Sequence, residues 1–287
     1  TPIKSSAASD VYKRQVQDRK AIQAGTSHFL GQNFSKSQNI CFAGRDNTQQ
    51  FAWTSSWGVS TRMIGALIMM HSDDDGLVCP PCVAPQQVVI IPVTPKEDTR
   101  QAVLDHCEEL ARTLRAKTFH GQPLRVLVDR RDLGGGAKKW EWIKKGVPVR
   151  LEIGPRDLEK GSVCFQRRDQ APNEKTFLPE TELADTITDI LQNIQDTLLN
   201  KAVAFRDAHI RPASTLRELE ENFSGEGDAD WLQVPWDGSP EEEEELAKRL
   251  RISIRCIPLG ELGHGDPAPC ILTGRLTERR VLWARSY

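Results

Sequence analysis

The 287-residue chain has few of the features that would place it in a class at once. No apolar run approaches the roughly 20 residues of a membrane span, so no stretch reads as a transmembrane helix. Net charge is nearly absent: 38 Lys and Arg against 40 Asp and Glu leave −2. Nothing therefore draws the whole surface to nucleic acid, and any such contact must use a local patch, of which residues 125–150 are the basic candidate. The seven cysteines are scattered and odd in number, which argues against a disulfide framework and for a reduced, cytoplasmic setting. Cys79-Pro-Pro-Cys82 has metal-like spacing, but no second pair completes a site, so it reads as a loop with two thiols. Residues 1–15 lack any apolar period and lack the apolar centre of a signal peptide. They are expected to be a foreign or disordered tail outside the fold.

What is present is the composition of a soluble globular protein, 38% hydrophobic and 27% charged, at a length that fits two or three domains. The most informative stretch is Trp53-Thr-Ser-Ser-Trp-Gly-Val-Ser-Thr-Arg-Met-Ile-Gly-Ala-Leu-Ile-Met-Met-His71. To Val59 it alternates large and small residues like a strand. From Thr61 it turns helical, with Ile64, Leu67, Ile68 and His71 on one face and Gly65 and Ala66 small enough for close packing. Arg62 sits at the junction, where a strand is expected to give way to a buried helix. Its planar, permanently charged fork of donors suits a phosphate, although an isolated arginine more often pairs with a carboxylate. A second stretch, Ala21-Ile-Gln-Ala-Gly-Thr-Ser-His-Phe-Leu-Gly-Gln-Asn-Phe34, is dense in uncharged hydrogen-bonding groups, among them Gln23, Thr26, His28, Gln32 and Asn33. Such a set can line a pocket for a small polar ligand; the blander alternative is a polar loop with one satisfied histidine.

Read together, these strings resemble a known family. Ser56-Trp-Gly-x-x-Thr-Arg62-x-Ile-Gly resembles motif 3 of the class II aminoacyl-tRNA synthetases in its prolyl form, and residues 21–34 resemble the segment that binds proline and ATP there. The resemblance implies that Arg62 holds the γ-phosphate of ATP. It also implies that Gln23 and Thr26 contact the nucleotide, with Gln23 near a magnesium ion. His28, Ser56, Trp57 and Gly58 would shape the proline pocket. The family's Leu-Pro-Pro-Arg has Cys82 in place of its arginine here.

From residue 86 a new domain is expected: a strand over 87–93, an amphipathic helix over 97–117 with Val103, Leu104, Cys107, Leu110, Ala111 and Leu114 on one face, strands at 124–129, 149–153 and 163–166, and a long helix over 183–206. Strands alternating with helices predict a mixed or parallel sheet covered on both faces. The strings Lys145-Gly-Val-Pro-Val-Arg-Leu-Glu-Ile-Gly-Pro-Arg-Asp157 and Arg167-Arg-Asp169 resemble the anticodon-binding domain of the prolyl-, threonyl-, histidyl- and glycyl-tRNA synthetases. Arg156 and Asp157 would then face anticodon bases, an arginine reading guanine's acceptors and a carboxylate its donors. Ile143 replaces a glutamate of the family's anticodon-reading set.

The last segment, from about residue 199, resembles the C-terminal extension of archaeal and eukaryotic-type prolyl-tRNA synthetases, terminal tyrosine included. Its family zinc cysteines are reduced to Cys270, with Asp237 and the run Glu241–Glu245 where the first pair would be, so no zinc is expected. The acidic run opens a helix, where negative charge suits the dipole.

The expected architecture is α/β and multi-domain: a tail over 1–15, the C-terminal part of an antiparallel class II catalytic domain over 16–85, an anticodon-binding domain over 86–198, and a small α/β extension over 199–287. The resemblance implies a proline–tRNA ligase using ATP and Mg²⁺, with proline and the proline tRNA as partners and a homodimer in the full-length family. The family's motifs 1 and 2 are not found before Ala21, so the chain reads as a truncated form with little activation of its own. A catalytically silent tRNA-binding module is the alternative. A threonyl or histidyl enzyme is disfavoured by the 21–34 string.

Overall fold

The structure, a computed structural model, describes residues 9–94, 97–171 and 174–286. The chain is an α/β protein of two compact units, one of residues 9–66 with 205–286 and the other of residues 67–204. No helix of it is long and apolar enough to cross a membrane.

The first strands are β1 (Ser9–Gln15), β2 (Ala21–Gly31), the hairpin β3 (Cys41–Ala43) and β4 (Gln49–Phe51), and β5 (Thr54–Gly58), with the short α1 (Asn33–Ser37) after β2. β1, β2 and β5 make an antiparallel sheet in that order. β1 corrects the expectation of a tail outside the fold over residues 9–15: it pairs with β2 from Ser9 opposite His28 to Gln15 opposite Ala21. Val11 and Tyr12 favour extended backbone, and pairing satisfies an edge of β2 that would otherwise be open. Residues 1–8 lie outside the described residues. α2 (Arg62–His71) starts at Arg62 as the pattern predicts. Its burial differs from the prediction. Ile64 is 65% exposed and Ile68 45%, while Ala66 is 1% exposed. A Cβ at Gly65 would meet nothing within 4 Å, so no close packing explains that glycine. Of the stripe the periodicity marks, Leu67 and His71 are half-buried while Ile64 and Ile68 stay exposed.

The second unit holds β6 (Val88–Pro92), α3 (Glu97–Arg115), the small hairpin β7 (Thr118–Phe119) and β8 (Gln122–Pro123), β9 (Val126–Val128), α4 (Gly135–Lys144), β10 (Val149–Ile153), α5 (Pro155–Lys160), β11 (Ser162–Arg167), β12 (Thr176–Pro179) and α6 (Glu180–Ala208). Its sheet runs β12-β11-β10-β6-β9. β6 is parallel to β10 and β9, and the other two pairs are antiparallel. Alternation sorts β6 onto two faces. Val88 and Ile90 pack with α3 and α6 residues such as Cys107, Leu114, Ile187 and Leu191, and Val89 and Ile91 pack with Trp142 and Val147. The predicted mixed sheet covered on both faces is what forms. α4 takes in Gly135 and Gly136 at its start. The Gly134 carbonyl accepts from the amides of Ala137 and Lys138, and the buried Lys138 ammonium donates to the Asp129 carbonyl at 3.0 Å.

This unit reaches back to residue 67, ahead of the boundary expected at 85/86. Asp73 explains why: rather than ending a helix in solvent, it receives Arg168 Nη1 at 2.7 Å and Nη2 at 2.5 Å. The Arg168 hydrogen bonds hold the Asp73 carboxyl below its ordinary value against the opposing effect of burial. The amides of Leu77 and Cys79 donate to the Lys144 and Gly146 carbonyls.

The C-terminal elements are β13 (Ile210–Pro212), α7 (Leu216–Phe223), β14 (Trp231–Pro235), α8 (Pro240–Leu250), β15 (Ser253–Cys256), β16 (His264–Pro269) and β17 (Leu276–Ala284). The sheet order is β13-β14-β17-β15, with β16 also on β17. Leu219, Phe223, Val234, Leu246, Ile252 and Trp283 centre its core. Thr215 and Ser239 cap α7 and α8, each paired with a glutamate three residues on, which is the structural use found for the start of the acidic run.

Candidate functional sites

β2 carries Gln23, Thr26 and His28, and β5 carries Ser56, Trp57 and Gly58. Pairing sets Thr26 opposite Gly58, Ser27 opposite Trp57 and His28 opposite Ser56. Paired residues share a face, so Thr26, His28, Ser56 and Gly58 lie on one side and Trp57, 75% exposed, on the other. Trp57 is thus separated from the rest of the expected proline-pocket set. Gly58 has a local reason: a Cβ there would come within 3.0 Å of Thr26 Oγ1. A register shift against β1 leaves one extra residue between Gln23 and Gly25, a bulge that re-aims Gln23 relative to Thr26. Gln23 Oε1 accepts from Arg62 Nη1 at 3.2 Å. Two residues 39 positions apart thus meet at the open end of the sheet, both exposed. Gln32 behaves otherwise than a pocket residue: its Nε2 donates to the Phe51 carbonyl at 2.9 Å and pins the β3–β4 hairpin.

In the second unit Arg156 and Asp157 open α5. Asp157 Oδ2 accepts the Gly154 amide at 2.9 Å, so one carboxylate oxygen caps the helix while Arg156 stays exposed. The adjoining strand pair holds what sequence reasoning missed. Arg150, 1% exposed, lies opposite Gln166 across β10 and β11, and its Nη2 reaches Gln166 Oε1 at 3.4 Å. Arg150 Nε and Nη1 and Gln166 Nε2 are buried without a hydrogen-bond partner. Burial, aided by the charge of Arg168, pulls the Arg150 guanidinium down to about 10, which still leaves it charged at neutral pH. Three buried donors without a partner make this strand pair a polar, energetically costly spot within the sheet. Arg150 also pairs with Val89, which packs against α4. Ile143, 2% exposed, is on that helix, where the resemblance would put a glutamate. Glu141 cannot replace it freely, being engaged by Arg131 at 2.5 Å and Lys145 at 2.6 Å. The available signal was one basic residue between two apolar ones, Val149 and Leu151, in a central strand.

Residues 87–190 match a family model described as "Anticodon binding domain", and residues 221–287 one described as "Prolyl-tRNA synthetase, C-terminal". A "Proline--tRNA ligase" of Akkermansia muciniphila is 92% identical over 95% of the chain and 54% of its own length. Over 95% of its length the chain is similar to prolyl-tRNA synthetases. "Proline--tRNA ligase 2" of Anaeromyxobacter dehalogenans is 49% identical over 95% of the chain and 55% of its length, and the "Proline--tRNA ligase" of Protochlamydia amoebophila is 44% identical over 95% and 54%. The chain spans about half the length of the curated relatives it matches.

Two positions bear on metal binding. Among the described residues no group of three or more His, Cys, Asp or Glu is placed to hold an ion. Asp237, where the resemblance would put a first zinc pair, instead receives Arg275 Nε at 2.8 Å, and its amide donates to Cys270 Sγ at 3.3 Å. The terminal Tyr287 of the family resemblance lies outside the described residues.

Proposed function

We propose that the chain is part of a proline–tRNA ligase, in which residues 16–85 contribute to the aminoacyl-adenylation site and residues 86–198 read the anticodon. The observation that carries this reading is the Arg62–Gln23 pair on an open sheet edge. Arg62 is an exposed cation whose fork of donors a phosphate can take over from Gln23. Gln23 and Thr26 would hold the nucleotide, and His28, Ser56 and Gly58, on one face, would line the proline side. Trp57, on the other face, keeps at most a supporting part there. Magnesium would arrive on the phosphates, since it favours substrate phosphates and water over a full protein cage. ATP supplies the leaving pyrophosphate. This chain's residues contribute positioning and charge for the attack of the proline carboxylate and the later transfer to tRNA. Homodimer assembly and a cytoplasmic setting belong to the same proposal.

On the tRNA side, the exposed Arg156 at α5 would meet guanine acceptors, with the free oxygen of Asp157 receiving guanine N–H groups. Two binding measurements on this chain test the reading. Arg62→Ala is expected to weaken ATP binding about tenfold or more while leaving proline-tRNA binding unchanged. Arg156→Gln is expected to do the reverse, with the loss confined to tRNA bearing the anticodon guanines. ATP binding that is absent in the parent chain, with guanine-dependent tRNA binding intact, would replace the enzyme reading by a tRNA-binding module.

A further inference from the structure

We propose that Asp230 and Trp231 are positioning residues for the nucleotide strand, bracing β2 so that Gln23 meets Arg62; this rests on the reading that Gln23 and Arg62 hold ATP. The turn between β1 and β2 is fixed at Arg19, whose φ of 62° is left-handed and whose amide donates to the Val16 carbonyl at 2.8 Å. Both ends of Arg19 are gripped by the start of β14. Its carbonyl accepts Trp231 Nε1 at 2.6 Å, and its Nη1 donates to Asp230 Oδ1 at 3.2 Å. Asp230 is itself held by His209 Nδ1 at 2.9 Å and Arg211 Nε at 2.5 Å, so it does not swing freely. Two residues later the Ala21 amide donates to the Arg285 carbonyl at 2.9 Å, and Ala21 packs at 3% exposure beside Trp231, Leu282 and Ala284.

The position of this grip is what gives it a consequence for the site. In β2 only Ala21 and Ile22 are buried, and every residue from Gln23 onward is half-buried or exposed. β5, on the far side, is exposed at Ser55 to Gly58. Side-chain packing therefore holds the strand only at its first two residues, backbone pairing with β1 and β5 holds the rest, and Gln23 is the first residue beyond the packed end, next to the bulge. A rotation at Ala21 would reach the Gln23 side chain before any other residue of the site. A brace that served stability alone would have no reason to act on one side chain of the site.

The test uses the full chain with Asp230→Asn, Asp230→Glu and Trp231→Phe, the last keeping an aromatic ring in the core while deleting its N–H. Three quantities are read: ATP affinity by calorimetry, hydrogen exchange at the Ala21 and Gln23 amides, and proline-tRNA binding as a control in the other unit. The expected result is a five- to tenfold weaker ATP affinity in Asp230→Asn and Trp231→Phe, about the effect of one lost hydrogen bond or slightly more. Faster exchange at Ala21 and Gln23, unchanged tRNA binding and partial recovery in Asp230→Glu are expected alongside. In an Arg62→Ala background the same substitutions should add no further loss, because the contact they position is already gone. Unchanged exchange at Gln23 overturns the brace, and so does faster exchange with unchanged ATP affinity. A parent chain that does not bind ATP overturns the nucleotide reading instead, and the brace is then decided by Gln23 exchange alone.

Discussion

The strands and helix of residues 21–71 and the mixed-sheet unit that follows them are built on opposite terms. In the first region Ala21, Ile22 and Ala66 are buried, while Phe29, Phe42, Trp53, Trp57 and Ile64 are each about half exposed or more. In the second, Val88, Ile90, Leu151, Ile153, Leu183 and Ile187 are at or near zero exposure in one continuous core. The first region is carried by backbone pairing and by its anchor on β14 and β17. The second is carried by side-chain packing. Arg62 and Gln23 sit on the region that gives side chains least support, and the anchor of that region comes from a distant part of the chain. Arg156 and Asp157 open a helix that follows directly on a strand of the packed sheet.

The largest test of that contrast is in packing. Leu151→Ala or Ile187→Ala should cost about 2–5 kcal/mol in urea unfolding, because each leaves a cavity that close-packed neighbours cannot fill. Ile64→Ala should fall within about 0.5 kcal/mol. Comparable losses at Ile64 and Leu151 would abolish the distinction. A second test concerns acid. Burial raises the Asp129 carboxyl, but hydrogen bonds from Arg131 and Trp142 outweigh it and hold the group at about 2. The folded value is below the unfolded one near 3.9, so the stabilisation is present above that unfolded value and is lost as pH falls toward 2. It amounts to roughly 2 kcal/mol. Asp129→Asn should therefore destabilise the unit at pH 7 by about that amount, with the gap to the parent narrowing by pH 2.5; a gap independent of pH would refute the assignment. The smallest expected effect is in the first region. Phe29 and Trp53 stack at 5.6 Å with rings 13° apart, and Trp53→Ala should cost about 1 kcal/mol there, read as a shift in the local amide exchange of β2 and β5 and not of the mixed sheet.

Periodicity served the second region well and the first poorly, and the reason is the same contrast. The face predicted for α3 is buried at Val103, Cys107, Leu110, Ala111 and Leu114 because a sheet lies against it. The stripe predicted for α2 has the same spacing, yet Ile64 and Ile68 remain exposed because an amphipathic pattern states which face can be buried, not that a partner is present. The site residues show a similar division. Arg62 and Gln23 were legible as separate motifs, and their contact was not, since nothing in two strings 39 residues apart fixes a distance. Asp157 was expected to meet a base and is found capping α5 with one oxygen. Arg150 was legible only as the end of the basic stretch over residues 125–150, and its burial between strands was not, because one residue's charge does not say which face of a sheet it occupies.

By itself the sequence determined the family, the order of the elements and the identity of the polar side chains. Those follow from local strings and from side-chain periods of 2 and 3.6, which need no knowledge of what packs where. Only the tertiary structure decided which residues share a face and which groups lack a partner. It also decided which distant segment holds a strand in place. Pairing register, a one-residue bulge and the anchoring of Arg19 by Asp230 and Trp231 are long-range facts. Each depends on contacts between residues whose separation along the chain carries no information about their separation in space.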